Sequence, residues 1–297
     1  AHDLGTIEGV AVERVTEHED CVLHFLAAPP GNRIPAKAVS PGATVQGAID
    51  WERRFDLMQH HTGQHLLSAI AEDLYGWKTE SVHMSAESAT VELGAEKMGE
   101  ASIERLEREV NRRIQENLPV RIATHASAKG LHLRKATERP GPLRVVSIAD
   151  LDHSACGGAH VRTTGEIGSL TIGRAEKIRK NIRLEFACGM RAVHLARRKS
   201  GWLREAAAVF QSSPDHIAEL AAAQRDELAA LSKRLRALET QESKRAGADA
   251  RRALGEAGIA LCCAARRVPD AIADAERAFA QGFCERAGAE PNRTILL

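Results

Sequence analysis

Aromatic side chains are scarce: Phe, Trp and Tyr make up 3% of the 297 residues, and there is one tyrosine. Ala, Leu and Val must therefore fill most of the interior, and alanine-rich helices are expected through much of the C-terminal half. Long apolar runs are missing too. No stretch reaches the roughly eighteen uninterrupted apolar residues of a membrane span, which argues against a membrane partner. The opening AHDLGTIEGV has neither the basic region nor the apolar core of a signal peptide, and it lacks an initiator Met, as a trimmed chain would. Cys21, Cys156, Cys188, Cys262, Cys263 and Cys284 form no disulfide-like framework, so a reducing compartment, the cytoplasm, is expected.

Net charge is nearly absent, at +1, yet charge is unevenly spread. Residues 171–204 carry ten basic side chains, among them Arg174, Lys177, Arg179, Lys180 and Arg183, against two acids, Glu176 and Glu185. Such a patch fits a polyanionic partner such as nucleic acid. A solvated helix face is the competing reading.

The chain is long enough for more than one domain. Residues 1–50 alternate apolar and polar positions between frequent Gly and Pro, which predicts a small β-rich unit, a barrel or partial barrel. Phe55 to Leu74 runs without proline, with Leu57, His61, Leu66, Ala69 and Ile70 at roughly helical spacing and Gly76 as a stop. SVHMSAESATVEL reads as extended. Residues 101–117 read as an amphipathic helix with Ile103, Leu106, Val110 and Ile114 on one stripe, ended by Pro119. VRIATHA and LRVVSIADL read as strands, and GEIGSLTIGRAEKI with NIRLEFACG as a hairpin. Strands mixed with a few helices and no strict βαβ alternation predict an α+β fold, with its main domain over 51–195. Beyond it, Ile217, Ala221, Gln224, Leu228, Leu231, Leu235 and Leu238 alternate three- and four-residue spacing, a short coiled-coil seam within 196–248 that could pair two copies of the chain. Residues 249–297 read as a partial α/β domain: GIALCCAA a buried strand, DAIADAERAFAQGFCERAG a helix, TILL a last strand.

Two segments carry the chemistry. MQHHTGQHLL places three of the 13 histidines within six positions. On a helix, His61 and His65 are one turn apart on one face, whereas His60 points about 100° away. Ninety residues on, Cys156 and His160 repeat the spacing, with Gly157 and Gly158 allowing a tight turn between them. Three imidazoles and one thiolate form a donor set suited to zinc. The competing reading makes His61 and His65 partly buried core histidines and Cys156 an inert thiol.

DWERRFDLMQHHTGQHLLSA and DHSACGGAHVRTTGEIG resemble the two signature segments of the free-standing alanyl-tRNA editing proteins, long form, which are related to the editing domains of alanyl- and threonyl-tRNA synthetases. LHLRKATERPGPLRVVSIADLDHSACGG extends the likeness, which runs from about residue 4 to 195. The resemblance implies one Zn2+ per chain on His61, His65, Cys156 and His160. It also implies hydrolysis of the ester joining a wrong amino acid, chiefly serine and also glycine, to the acceptor end of tRNA(Ala). Two departures stand out. Members usually open with a glycine-rich GGGQ stretch ahead of GTI, whereas this sequence starts just after it, so slow turnover is expected. Ala159 also stands where threonine is common.

Around that site, Gln64 is the candidate for contacting substrate or water, with a surface glutamine as the alternative. Asp152 is the candidate for orienting a ligand imidazole, with a loop-capping role as the alternative. The backbone N–H groups of Gly157 and Gly158 are candidates for an oxyanion hole. If one ligand is loose, His160 is the candidate. Two other functions compete with a free-standing hydrolase: a fragment of an alanyl-tRNA synthetase, and a non-enzymatic tRNA-binding module with a structural zinc.

Overall fold

The computed structural model describes residues 2–19, 21–27, 40–85, 88–137, 141–256, 277–278 and 281–282. It is α+β, and the chain divides into two compact units, Ala1–Lys199 and Ser200–Leu297.

The first unit begins with an antiparallel sheet of β1 (Gly5–Ile7), β2 (Val10–His18), β3 (Cys21–Leu26) and β4 (Gly47–Ile49), in the order β3-β2-β1-β4. Among the described residues β3 and β4 form the two ends of this sheet, and no pairing between them closes a barrel.

Helix α1 (Trp51–Tyr75) follows at once. Asp50 caps it by accepting from Arg53 N at 3.1 Å, and Gly76 ends it in the left-handed conformation at φ 68°, which costs a glycine little. From Gln59 to Ala71 every residue but His61 is buried. This helix therefore has no solvent stripe through its middle, and its polar residues there must find partners inside the protein. It is enclosed by helix α2 (Glu100–Gln115), by strands β5 (Thr79–Met84), β6 (Ala89–Leu93), β9 (Asp152–Ala155) and β11 (Asn181–Cys188), and by a 3-10 turn at Thr164–Ile167. Helix α2 buries the expected stripe of Ile103, Leu106, Val110 and Ile114.

Strand β10 (Leu170–Ile178) completes an antiparallel sheet of order β10-β11-β6-β5, and β7 (Val120–His125), β8 (Leu143–Ile148) and β9 form a third, β7-β8-β9. The core between these layers holds Leu66, Leu67, Val91, Leu93, Leu106, Val110, Ile148, Ile167, Leu184 and Phe186. Truncating Leu66 or Leu67, both 0% exposed, costs about 2–5 kcal/mol on the usual scale for buried leucines.

The division between units falls within α3 (Gly189–Val209). In the second unit a 3-10 turn at Pro214–His216, capped by Ser213, leads into the 40-residue helix α4 (Ile217–Glu256). Leu228, Leu231, Leu235 and Leu238 are exposed along it, at 53–67%. The strands expected at GIALCCAA and TILL lie outside the described residues, as does most of the helix between them. Only Arg277, Ala278, Gln281 and Gly282 of that stretch are described, and they are helical. No described helix is long and apolar enough to cross a membrane.

Candidate metal centre

Helix α1 and the loop after β9 bring His61, His65, Cys156 and His160 together, with their donor atoms all within 4.8 Å of one another. Cys156 Sγ lies 3.3 Å from His61 Nε2 and 3.4 Å from His160 Nε2. A tetrahedral zinc with Zn–S of about 2.3 Å and Zn–N of about 2.0–2.1 Å keeps sulfur and nitrogen about 3.6 Å apart, so the spacing and the donor chemistry both fit such an ion. His60 stays outside: its Nδ1 bonds Asp56 O at 2.7 Å and its Nε2 accepts from Cys188 N at 3.0 Å, tying α1 to β11. Burial lowers its affinity for a proton, consistent with a neutral ring that donates at one nitrogen and accepts at the other.

The four donors polarise one another. Burial alone would raise the Cys156 thiol, but hydrogen bonds from His160, His61 and His65 bring it down to about 3, a thiolate at neutral pH. Burial alone would lower His65; Asp152 and Cys156 instead push it up to about 9. His160 is held below its ordinary value, by burial first and by the neighbouring His61 and His65, against the pull of Cys156. Among the described residues Cys188 is a buried thiol, pushed up by burial and without thiolate character.

Each expected site residue has a definite place. Asp152, 1% exposed, accepts from His65 Nδ1 at 2.9 Å, from Arg134 Nε at 2.8 Å and from Ser154 Oγ at 3.0 Å. Gln64 is buried, and its amide donates to Ser68 Oγ at 2.9 Å, which also accepts from Thr79 Oγ1 at 2.7 Å. The Gly158 N–H points to Cys156 Sγ at 3.4 Å. A Cβ at Gly158 would run into the His61 ring, 2.5 Å from Nδ1, so glycine is what allows this loop to approach α1. His160 is 5% exposed, with Nδ1 3.1 Å from Thr62 Oγ1, which is a poor match for a loose ligand.

Beside the cluster is a cavity of about 980 Å³. His65 and Cys156 contribute to its wall with Gln64, Gly157, Arg134 and Arg144. Arg144 also braces the ligand loop by donating to Cys156 O at 2.6 Å and Gly158 O at 2.9 Å. Sequence reasoning passed over Arg134, Arg144 and Thr62. Arg134 had a faint signal: a carboxylate as buried as Asp152 needs a cation, and the segment before β8 supplies one.

The basic residues are further off, on the β10–β11 hairpin, whose strand β10 is at the opposite edge of its sheet from β5. Arg174, Lys177, Arg179 and Lys180 are exposed, Arg174 lying 3.7 Å from Glu176. Arg183 is engaged with Glu92, its Nε at 3.0 Å. Arg191 likewise pairs with Asp56 and donates to Ser85 O at 3.2 Å.

Residues 143–184, which include β9 and the Cys156–His160 loop, match the family described as threonyl and alanyl tRNA synthetase second additional domain. Among curated proteins, the chain is 33% identical over 226 residues to alanyl-tRNA editing protein Aarsd1 of Bos taurus, covering 72% of this chain and 48% of that protein. It is 36% identical over 200 residues to alanyl-tRNA editing protein AlaX-L of Pyrococcus horikoshii, covering 64% and 48%. It is also 32% identical over 225 residues to alanine–tRNA ligase of Pyrococcus furiosus, covering 72% of this chain and 24% of the ligase. The chain thus spans about half the length of the editing proteins it matches. With the ligand loop inside the matched domain and α1 supplying the other two donors, the chain belongs with the alanyl-tRNA editing proteins.

Proposed function

We propose that this chain hydrolyses the ester of mischarged tRNA(Ala), seryl-tRNA(Ala) first and glycyl-tRNA(Ala) second, with one Zn2+ held by His61, His65, Cys156 and His160. The observation that carries this reading is the convergence of four donors beside a cavity of about 980 Å³, two of them, His65 and Cys156, in its wall, a space ample for an aminoacyl-adenosine end. Such a reaction is needed because an alanine pocket rejects an analogue with one added hydroxyl only weakly, and a second, hydrolytic site restores accuracy. When bound, zinc supplies a Lewis acid that polarises a carbonyl or acidifies a water.

The chain's own residues do the rest. Gln64, with its amide held by Ser68, faces the cavity as the side chain that contacts the substrate or its water. Asp152 works through His65, since its oxygens are already engaged by His65, Arg134 and Ser154. The Gly158 N–H serves the thiolate, which leaves the Gly157 N–H, in the cavity wall, for a developing oxyanion. Arg174, Lys177, Arg179 and Lys180 contact the tRNA backbone. Three strand spacings, about 14 Å, separate β10 from β5, a span a bound nucleic acid can bridge. Arg183 supports this surface from its pair with Glu92. In this reading the protein acts in the cytoplasm, and α4 pairs two copies.

One observation favours a second reading. Four donors so close together suit a closed, structural zinc, in which case the protein would bind tRNA without cleaving it. Deacylation of seryl-tRNA(Ala) by the purified chain, with and without a chelator, tests the choice. Zinc-dependent release of serine is expected. Zinc uptake with no release would leave the binding module. Metal analysis of His65→Ala and Cys156→Ala should show lost zinc, and full retention in both would overturn the ligand set.

A further inference from the structure

Thr62 lies between His61 and His65 in the sequence, but it turns into the protein and is wholly buried. Its hydroxyl oxygen meets three groups: Met58 O at 3.0 Å, His160 Nδ1 at 3.1 Å and Val161 N at 3.2 Å. A hydroxyl has one proton to give and two lone pairs with which to accept. The Val161 N–H can only donate, so it takes one lone pair. Met58 O can only accept. His160 Nδ1 can do either, and its role depends on which ring nitrogen carries the proton. His160 Nε2 faces the cluster, 3.4 Å from Cys156 Sγ. When zinc replaces the hydrogen bond between Nε2 and the Cys156 thiolate, a neutral imidazole that offers its Nε2 lone pair must carry its proton on Nδ1. In that form all three contacts of Thr62 are satisfied together: Nδ1–H and Val161 N–H fill its lone pairs, and its own proton goes to Met58 O.

We propose that Thr62 is the positioning residue of His160, holding the ring in the Nδ1–H form so that Nε2 is presented to the metal. This rests on the proposed zinc site. It parallels what Asp152 does for His65, with a neutral hydroxyl in place of a charge. It also explains why a β-branched hydroxyl sits wholly buried within a helix. The same atom latches α1 to the ligand loop through Val161, so the two segments that bring the donors are joined at the point where one donor is oriented.

The test compares the full chain with Thr62→Ser and Thr62→Val, using Zn2+ in competition with a chromophoric chelator, together with long-range 1H–15N spectra of the zinc-loaded wild type. The expected results are a proton on His160 Nδ1, a 10- to 100-fold loss of zinc affinity in Thr62→Val, the range for removing an outer partner of a ligand, and near-wild-type affinity in Thr62→Ser. A merely structural role would lower the melting temperature of the metal-free Val variant but would not set the tautomer. Wild-type zinc affinity in Thr62→Val, or a His160 ring protonated at Nε2 in the loaded wild type, overturns the proposal. If Thr62→Val does not fold, the wild-type spectrum decides alone. Failure of the wild type to take up zinc at all would instead overturn the zinc site on which this proposal stands.

Discussion

Replacing Asp152 by Asn removes one charge while nearly preserving shape, and the hydrogen bonds around it set the outcome. In the wild type one carboxylate oxygen accepts from His65 Nδ1, and the other accepts from Arg134 Nε and Ser154 Oγ. An amide has one acceptor oxygen and one NH2. The guanidinium of Arg134 cannot give up its proton, so it claims the oxygen, and the NH2 turns towards His65. That requires a lone pair on His65 Nδ1 and moves the ring proton to Nε2, the nitrogen needed by the cluster. Metal affinity should fall about 10- to 100-fold, as when an outer partner of a ligand is lost. The metal-free fold should lose less than the roughly 3–5 kcal/mol of a fully broken buried ion pair, because Arg134 keeps Glu72 at 3.0 Å. About 1–3 kcal/mol is expected, the range for one buried hydrogen bond made badly. Zinc competition measures the first quantity, and urea denaturation of the metal-free chain the second. Unchanged zinc affinity in Asp152→Asn would refute the claim that this carboxylate orients His65.

Three further outcomes are expected. Gly158→Ala places a methyl against His61, 2.5 Å from Nδ1, so zinc should bind about tenfold more weakly or worse, with far-UV circular dichroism unchanged; normal affinity would mean that the loop can yield there. Replacing Lys177, Arg179 and Lys180 by Ala should weaken tRNA binding and flatten its salt dependence by about 0.7–0.9 per lost phosphate contact, and an unchanged slope would make the hairpin an idle solvated surface. Replacing Leu231 and Leu235 by Lys should abolish self-association in sedimentation experiments at several concentrations; a wild type that is monomeric throughout would remove α4 as a dimer seam.

The local rules of helix and strand carried much of the fold. Gly76 ends α1 as expected, although the helix starts at Trp51, one turn before the expected Phe55, and α2 shows its stripe of Ile103, Leu106, Val110 and Ile114 because one of its faces remains in solvent. What α1 concealed was its burial. A helix enclosed on every side has no polar face to break its pattern, so nothing in the sequence marked Gln59, His60, Thr62 and Gln64 as buried. The four clustered donors were legible because their spacings are local, four residues in each segment. Their supports were not, because they come from a distance: Arg134 reaches Asp152 from 18 positions earlier, and Thr62 reaches His160 across 98. A side chain that acts by bonding another side chain leaves no periodicity to read. Whether the N-terminal sheet closes into a barrel was equally out of reach, since that depends on which edge strands meet rather than on alternation within any of them.

The same distinction between local spacing and distant support ranks the four proposed ligands by how firmly they are held. Cys156 is fixed from two sides, by the Gly158 N–H on its sulfur and by Arg144 on its carbonyl. His65 has the Asp152 carboxylate, itself held by Arg134, and His160 has Thr62. His61 differs. It alone among the residues from Gln59 to Ala71 is not buried, and among the described residues its ring makes its hydrogen bond to Cys156 and is otherwise confined by the rings of His65 and His160 and by the backbone at Gly158. Anchoring therefore points away from His160 and towards His61 as the ligand best able to yield. His61→Ala should then retain more zinc affinity than His65→Ala or Cys156→Ala, because the three remaining donors keep their outer partners. If His61→Ala instead proves the most damaging of the three, affinity is set by the donors' own geometry and the supporting hydrogen bonds are secondary.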